Sequence, residues 1–465
     1  MTTGWLVLAT TDETGRACAD TLGSRAPLEV SAPDGLSLHE ALCALQRQSV
    51  QSVFVVVDDA ARLSEIALDR LSGALDSTGA TLVYSDYHEM DEQGARRLRP
   101  LIGYQLGSVR DNFNFGALAI INLEAALTAD DEALRDPLPA VAWYALRLHL
   151  SRCGQIVHLP EPCYTRSAQD HVRTGVKVFD YLRAEAQTLQ RRFEEVCTGH
   201  LRAIDAWAPP PDAGPAPIEH DFPVRASVII PVRDRVNTVI DAAKSALGQT
   251  TTFDMNVIVV DNHSTDGTTD ALTQLSKDDA RLIHVVPTRH DLGIGGCWDH
   301  AIRHAQCGLY AVQLDSDDLY SGDDVVQRIV DQLQQNDLAF LVGSYTTVDF
   351  DLEPLPPGLI DHREWTDENG HNNALRIAGL GAPRAFHVPT LRRIGFPNVS
   401  FGEDYALALT LSRQYRTGRI YDSLYWCRRW SGNTDSDLSV EQANRNDRYK
   451  DRLRTLEILA RRAAN

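Results

Sequence analysis

The sequence predicts an α/β protein with two related domains, each a mainly parallel sheet flanked by helices in the manner of a Rossmann-type fold. Short apolar, β-branched runs alternate with helix-like segments over 1–170 and again from 224 onward. Such alternation is typical of βαβ units with right-handed crossovers. A proline-rich stretch, Ala208–Pro217, separates the two series and indicates a linker. The length of 465 residues suits two or three domains.

The composition excludes some classes of partner. The chain carries 64 acidic and 45 basic residues, a net charge of −19. Binding nucleic acid or an anionic membrane surface requires clustered Lys and Arg, so neither is expected as the main partner. No segment approaches the roughly 20 apolar residues of a membrane span, and Met1–Ala9 does not resemble a signal peptide. Eight scattered cysteines without a Cys-x-x-Cys pair indicate free thiols. We expect a cytoplasmic protein; a homo-oligomer stays open.

In the first half, Val53–Val57 reads as a buried strand because it is a continuous β-branched and aromatic run. From Val178 to Ile204 apolar residues recur in steps of three and four, which predicts a long amphipathic helix. We therefore expect four segments: an α/β domain over 1–175, this helix with the linker over 176–223, a second α/β domain over 224–435, and a charged terminal helix over 436–465.

Four strand-like runs open the second half, and the last of them ends in a cluster of acids. That cluster is Leu314-Asp315-Ser316-Asp317-Asp318. In open α/β sheets ligands bind beyond the carboxyl ends of the strands, and three acids there repel one another unless a divalent cation or solvent relieves them. The Asp-x-Asp spelling is weak evidence, because it also occurs at 349–351 and 435–437. A loop-rich region over 349–399 follows, of a length that usually indicates a functional loop or lid.

The two halves also resemble each other, which indicates an internal repeat. Val57-Asp58-Asp59 corresponds to the acid cluster, Leu82–Tyr87 to Leu341–Tyr345, and the segment 142–152 to 403–413. In the last pair, Glu403-Asp404 is replaced by Ala142-Trp143. If the acid pair carries chemistry, only the second half can perform it. Chance similarity of two α/β segments is the alternative.

Several motifs of the second half match a known family in order and spacing. They are Ser227–Val232, Val259–Thr268, Leu314–Asp318 and Gly402–Tyr405. With them, residues 225 to about 435 resemble the family 2 glycosyltransferases, which have a GT-A fold. The first half is similar to a degenerate, non-catalytic copy of that fold.

The resemblance implies an inverting, metal-dependent glycosyltransferase of the kind used in polysaccharide biosynthesis. It would move a sugar from a nucleoside diphosphate donor, with a UDP-sugar favoured, to a hydroxyl of a carbohydrate or glycoconjugate. Asp404 would be the general base, with Glu403 orienting it or acting as its rival. Asp317 would ligate Mn²⁺ or Mg²⁺, and Asp315 would face the ribose or the metal. For Asp317 and Asp404 the alternative is an acid favoured by a helix N-terminus.

The resemblance also supplies candidates for donor and acceptor binding. Asp261 would accept a hydrogen bond from the base, Arg289 would replace a missing cation of the family, and Trp298 would either stack on the nucleotide or pack in the core. Loop residues with polar or aromatic groups would contact the sugar or acceptor, with an ordinary loop as the equal alternative. The further donor candidates are Pro231, Val232, Arg233, Asn262, Ser316, Arg428 and Arg429, the last two as a diphosphate clamp or as surface ion pairs. The loop candidates are His362, Trp365, Arg384 and Trp430.

Two other functions stay open. One is a nucleotide-sugar or glycan-binding protein without turnover. The other is a nucleotidyltransferase on a related scaffold, which is disfavoured because Pro231–Arg235 is not a glycine-rich phosphate loop.

Overall fold

The computed structural model describes residues 3–8, 28–30, 36–56, 62–64, 66–91, 93–129, 131–167, 187–377, 379–430, 433 and 438–465. The chain divides into two compact units. The first holds the described residues up to Trp207 together with Leu438–Asn465, and the second holds Ala208–Asp437. The strand-end acids Asp58 and Asp59, and the first part of the helix predicted from Val178, lie outside the described residues.

The first unit is built on one sheet with helices around it. Its strands are β1 (Thr3–Leu8), β2 (Leu28–Val30), β3 (Ser52–Val56), β4 (Arg62–Leu63), β5 (Leu82–Met90), β6 (Arg96–Arg99), β7 (Leu118–Asn122) and β8 (Ile156–Ser167). Its helices are α1 (Leu38–Arg47), α2 (Ala67–Thr78), α3 (Leu123–Ala126), α4 (Asp131–Leu134), α5 (Pro139–Cys153) and α6 (Gln187–Ala203). The sheet order is β2-β1-β3-β7-β5-β8-β4, and β6 pairs with β5.

The second unit has a larger sheet of the same kind. Its strands are β9 (Ala226–Val232), β10 (Met255–Asp261), β11 (Leu282–Val285), β12 (Tyr310–Gln313), β13 (Leu319–Tyr320), β14 (Phe340–Val348), β15 (Pro354–Ile360), β16 (Arg384–His387) and β17 (Thr417–Arg428). Its helices are α7 (Val239–Leu247), α8 (Thr268–Asp278), α9 (Ile294–Ile302), α10 (Val325–Gln335), α11 (Gly370–Asn373), α12 (Val388–Ile394) and α13 (Glu403–Gln414). The order is β11-β10-β9-β12-β16-β14-β17-β13, and β15 pairs with β14.

The two sheets repeat one topology strand for strand. The path β2-β1-β3-β7-β5-β8-β4 matches β10-β9-β12-β16-β14-β17-β13, and β11 has no counterpart among the described residues of the first unit. The senses of pairing match as well: β1–β3 and β9–β12 are parallel, whereas β3–β7 and β12–β16 are antiparallel. Helices α5 and α13, which the sequence paired, follow equivalent strands. The predicted pair of α/β domains is therefore confirmed, and the internal repeat extends through the sheet.

Four strands of the second sheet were not predicted from the sequence: β13, β15, β16 and β17. The four residues of β16 lie inside the loop-rich region and run antiparallel between β12 and β14. A strand this short has no alternating pattern of its own, so its position depends on its neighbours. Gly381, with φ of +96°, turns the chain just before this strand, and a side chain there would meet the carbonyl oxygen of Gly343 at 2.6 Å. The sheet is consequently mixed: β9 pairs in parallel with β10 and β12, β10 with β11, and β14 with β17.

The C-terminal helix α14 (Val440–Ala464) groups with the first unit. Its fully buried Asp451 pairs with Arg110 at 3.2 Å and with Arg454 at 2.8 Å, and accepts a hydrogen bond from the Ser108 hydroxyl. Burial raises the pKa of Asp451, and the two arginines oppose that rise. Buried charges need such partners, since an unpaired charge is costly to desolvate. The network fixes α14 against the loop after β6.

The residues after the first unit are packed rather than extended into solvent. Ala208 donates its N–H to Asn372 at 3.2 Å and accepts a hydrogen bond from the same side chain at 3.0 Å. Ala216 donates to the Thr390 hydroxyl at 2.8 Å and is buried. The proline-rich segment therefore belongs structurally to the second unit. No described helix is long and apolar enough to cross a membrane.

Candidate functional site

The acid cluster follows β12 directly. Asp315 is half-buried, and its backbone N–H donates to the Tyr425 hydroxyl at 2.9 Å. Asp318 is buried and accepts a hydrogen bond from the backbone N–H of Arg428 at 2.8 Å. Burial raises the pKa of both carboxyls, and the mutual repulsion of the three acids adds to the rise. The cluster is thus held by β17, which is separated from β12 by two strands of the sheet.

Asp317 accepts hydrogen bonds on Oδ2 from Trp430 Nε1 at 3.1 Å and from Asn433 Nδ2 at 3.3 Å. The predicted loop candidate Trp430 therefore lies at the predicted metal ligand. Hydrogen bonds of this kind orient a carboxylate for a metal ion. Nothing in the sequence pointed to Asn433, which is more than 100 residues from Asp317.

Oxygen donors of this type suit Mg²⁺ or Mn²⁺. Within the part of the chain that the structure describes, no group of three or more His, Cys, Asp or Glu is arranged to hold a metal ion. Mg²⁺ is commonly bound by one or two carboxylates, with water and substrate phosphates completing its shell. Asp315 and Asp317 fit an ion that is bound together with a diphosphate, and do not form a closed protein site.

The helix α13 begins with the second predicted acid pair. Asp404 Oδ1 accepts a hydrogen bond from the backbone N–H of Tyr405 at 2.7 Å, and its Oδ2 accepts one from Arg384 Nη1 at 2.5 Å. The neighbouring Glu403 is buried. Burial raises the pKa of Glu403 to about 8; the charges of Asp404 and Asp315 add to this effect, and Arg384 opposes it. The two acids are therefore in different states: one is ion-paired, and the other keeps its proton near neutral pH.

Arg384 brings the two acid groups into one electrostatic site. Burial alone would lower the pKa of this guanidinium, but Asp404, Asp315 and Glu403 outweigh burial and raise it. Its Nε donates to the Gly381 carbonyl at 3.1 Å, which fixes the side chain. The sequence offered Arg384 only as a loop residue that contacts sugar. Its position on β16 instead places it between the end of β12 and the start of α13.

The residues predicted to bind the nucleotide base lie around the ends of β9 and β10. Asp261 is fully buried and accepts hydrogen bonds from Ser264 N–H at 3.0 Å, Thr269 hydroxyl at 2.5 Å and His284 Nε2 at 3.3 Å. Burial would raise the pKa of Asp261, but these hydrogen bonds outweigh it and hold the pKa well below its usual range. The carboxylate therefore fixes the loop after β10, and its contact with a base stays a prediction.

The other donor candidates differ in accessibility. Asn262 donates to the Leu292 carbonyl at 2.9 Å, and the exposed Arg289 pairs with Asp291 at 2.6 Å. Trp298 is buried and stacks on Phe396 with ring centroids 5.2 Å apart, which favours its packing role. Of the remaining donor-binding candidates, Val232 and Ser316 are buried, Pro231 is half-buried, and Arg233 is exposed.

Arg428 is buried beneath the acid cluster. Its Nε donates to the Asp317 carbonyl, and its guanidinium lies 4.8 Å from the ring centroid of Phe350. Its Nη2 is buried and has no hydrogen-bond partner among the residues that the structure describes, which is costly for a charged group. The neighbouring Arg429 donates its N–H to the Val348 carbonyl at 2.8 Å. Arg428 therefore carries an unused donor beside the predicted diphosphate site.

The two remaining loop candidates are engaged within their own loop. His362 is buried and pairs with Glu364 at 2.8 Å, and Trp365 is buried and donates to the Gly379 carbonyl at 2.9 Å. These contacts favour the ordinary-loop alternative for both residues. His387, at the end of β16, is likewise buried and contacts the Thr390 hydroxyl at 3.0 Å.

Comparisons with known proteins match the second unit. The model of the family "Glycosyl transferase family 2" matches residues 227–381. A glycosyltransferase of Bacillus subtilis, TuaG, named for a proposed part in teichuronic acid biosynthesis, is 34% identical over 189 residues, 40% of this chain and 72% of TuaG. An uncharacterised glycosyltransferase of Rickettsia conorii is 28% identical over 42% of this chain and 31% of its own length. The crystal structure of S. aureus TarS 1-349 in complex with UDP is similar over 50% of this chain and 65% of the TarS chain, with 19% sequence identity and a TM-score of 0.39.

Proposed function

The chain belongs to glycosyltransferase family 2, and from this premise we propose that its second unit transfers a sugar from a nucleoside diphosphate to a hydroxyl acceptor with inversion at the anomeric carbon. The observation that carries the proposal is Arg384, which joins Asp404 at the start of α13 to the electrostatic field of Asp315 at the end of β12. A strand-end carboxylate group and a separate helix-start base are what donor binding and acceptor activation require.

In the proposed reaction the acceptor hydroxyl gives its proton to Asp404. Its oxygen forms a bond to the anomeric carbon as the bond from that carbon to the diphosphate breaks, and the diphosphate leaves with the electron pair. A single displacement of this kind inverts the anomeric configuration. Glu403, with a pKa of about 8, is protonated near neutral pH and would donate a hydrogen bond that orients the acceptor. It is also the rival base, because a pKa near the working pH suits proton transfer.

The donor would lie along the carboxyl ends of β9, β10 and β12. Asp315 and Asp317 are the residues that would hold Mn²⁺ or Mg²⁺ with the diphosphate. When bound, such an ion takes up negative charge on the leaving group. The Nη2 of Arg428, for which the described part of the chain offers no partner, supports a second, protein-supplied cation for the diphosphate. Of the nucleotides, UDP is the one we favour, and the acceptor is a carbohydrate or glycoconjugate.

A thermal-shift panel of UDP, GDP and their sugars, with and without Mn²⁺, tests donor binding, since a ligand of the native state raises the melting temperature. We expect a Mn²⁺-dependent shift with a nucleoside diphosphate, absent in Asp317→Ala. Asp404→Ala should keep the shift and lose release of nucleoside diphosphate from the sugar donor. An unchanged shift in Asp317→Ala would contradict the metal assignment. Binding of a donor without hydrolysis or transfer by the wild type would favour a binding protein instead.

A further inference from the structure

The last residue of β12, Gln313, links the two acid groups through its side chain. The residue is 4% exposed, which is unusual for a glutamine. Its Nε2 donates to Asp315 Oδ1 at 2.9 Å, and its Oε1 accepts the backbone N–H of Arg384 at 3.1 Å. Because both ends of a buried amide are engaged, its orientation is fixed.

The sheet register explains why the side chain takes this place. In the pairing of β12 with β16, Val312 lies opposite Ala385, so Gln313 is next in line to Arg384. The backbone carbonyl of Gln313 accepts the hydroxyl of Tyr320 at 2.9 Å. The amide oxygen therefore receives the N–H of Arg384, and the other end of the amide reaches the acid cluster.

Arg384 continues the connection to Asp404 through its guanidinium. A continuous series of hydrogen bonds thus runs from Asp315 through Gln313 and Arg384 to Asp404. Asp315 lies where the sugar donor is proposed to bind, and Asp404 is the proposed general base.

The first unit offers an internal comparison. In the repeat Val57 corresponds to Leu314, so Val56 has the place of Gln313, and its register partner Leu118 has the place of Arg384. Trp143 has the place of Asp404. The copy without the acid pair therefore also lacks the residues that connect it. This is expected if the connection serves the acids rather than the sheet.

We propose that Gln313 is a positioning residue that couples the carboxylate at the donor side to the base through Arg384. The catalytic consequence of this coupling rests on the proposed function, whereas the coupling itself rests on the geometry alone. The amide sets the distance between β12 and β16 at the point where each contributes to the site. Without it, donor binding persists, but Arg384 and Asp404 lose their fixed relation to the anomeric carbon.

The kinetic test is Gln313→Met, which keeps the length of the side chain and removes both hydrogen bonds. Gln249→Met is the matched control, because Gln249 is also buried and its amide is also engaged at both ends, in this case by the backbone groups Gly322 O at 2.7 Å and Val326 N at 3.0 Å. Release of nucleoside diphosphate is followed with UDP-glucose, UDP-N-acetylglucosamine and GDP-mannose in the presence of Mn²⁺. We expect kcat to fall by at least tenfold in Gln313→Met with donor KM changed less than threefold, and the control to match the wild type.

Equal loss in both variants, or a rise of KM with kcat unchanged, would overturn the positioning role, since both indicate general destabilisation or lost donor contact. If Gln313→Met gives no melting transition, Gln313→Asn replaces it, because the shorter amide cannot reach both partners. The same outcomes then apply.

A second measurement needs no turnover. A double-mutant cycle of Asp315→Asn and Arg384→Gln on unfolding gives their coupling. We expect that coupling to fall by more than half in the Gln313→Met background and to persist in the Gln249→Met background. If the effects of Asp315→Asn and Arg384→Gln on the free energy of unfolding are additive when Gln313 is present, the connection through Gln313 is refuted. A wild type that releases no nucleoside diphosphate, with the coupling intact, would instead contradict the proposed function and leave the bridge standing as a structural link.

Discussion

Arg384 Nη1 donates a hydrogen bond to Asp404 Oδ2, and this ion pair joins a four-residue strand to the first turn of a helix. The arginine side chain is 20% exposed and the aspartate 26% exposed, so a substrate can reach both. A cation that holds the base in place during proton transfer acts through geometry as much as through charge. The first prediction tests this relationship.

Arg384→Gln should lower kcat by roughly 100-fold, because small misplacements of a reacting group cost rates of this order. Arg384→Lys should recover part of the loss, since it keeps a positive charge but not the planar fork. The matched control is Arg393→Gln, which removes an exposed arginine paired with Glu219 at 2.7 Å. Initial rates of nucleoside diphosphate release measure all three. A higher kcat in Arg384→Gln would show that the ion pair restrains the base.

The acid cluster follows β12 and the acid pair begins α13, as the sequence predicted, because an acid after an apolar run and an acid before a helical run are visible within ten residues. The connection between them was not predicted. Arg384 depends on a short antiparallel strand whose place is set by pairing with β12 and β14. Gln313 is visible in the sequence as a polar residue at the end of an apolar strand, but its contact with Arg384 follows only from the register between β12 and β16. Tyr425, which binds the N–H of Asp315, is 110 residues away and gave none.

The second prediction concerns the pH dependence of stability at Glu403. Its pKa is about 8 in the folded protein against a usual 4.5. Between these values the folded state keeps a proton that the unfolded state releases, so the contribution of Glu403 to stability is present below pH 4.5 and is lost as pH rises through 8. Glu403→Gln removes this dependence. The melting temperature of the variant relative to the wild type should therefore rise from pH 5 to pH 8.5.

The comparison uses melting curves at several pH values in matched buffers without nucleotide. Glu368→Gln, at an exposed position of the same unit, controls for loss of a carboxylate. A difference between Glu403→Gln and the wild type that is constant with pH would mean that burial does not hold the proton on Glu403.

The third prediction concerns the hydrogen bond from Trp430 to Asp317. Trp430→Phe keeps an aromatic ring but removes the Nε1–H that orients the carboxylate. Loss of an outer partner of a metal ligand commonly costs 10-fold or more in metal affinity. We expect about tenfold weaker binding of Mn²⁺ in the presence of UDP, measured by titration of the thermal shift. Trp365→Phe, which removes a donor to the Gly379 carbonyl instead, is the control. Tighter binding in Trp430→Phe would mean that Trp430 competes with the metal ion for Asp317.

The last prediction tests how the first unit holds the C-terminal helix. Gly107 lies so close to α14 that an added Cβ would meet the Asp451 carbonyl oxygen at 2.1 Å and the Thr455 nitrogen at 2.3 Å. Both are backbone atoms and cannot turn aside, so Gly107→Ala must shift the helix or the loop. Overpacking of this kind costs about 1–3 kcal/mol, which lowers the melting temperature of a unit of this size by roughly 2–10 °C. Gly103→Ala is the control, because an added Cβ there has no atom within 4 Å. Calorimetry of both variants should show a lower melting temperature for the first unit in Gly107→Ala, and no change in Gly103→Ala. Equal melting of the two variants would show that α14 does not pack against this loop in solution.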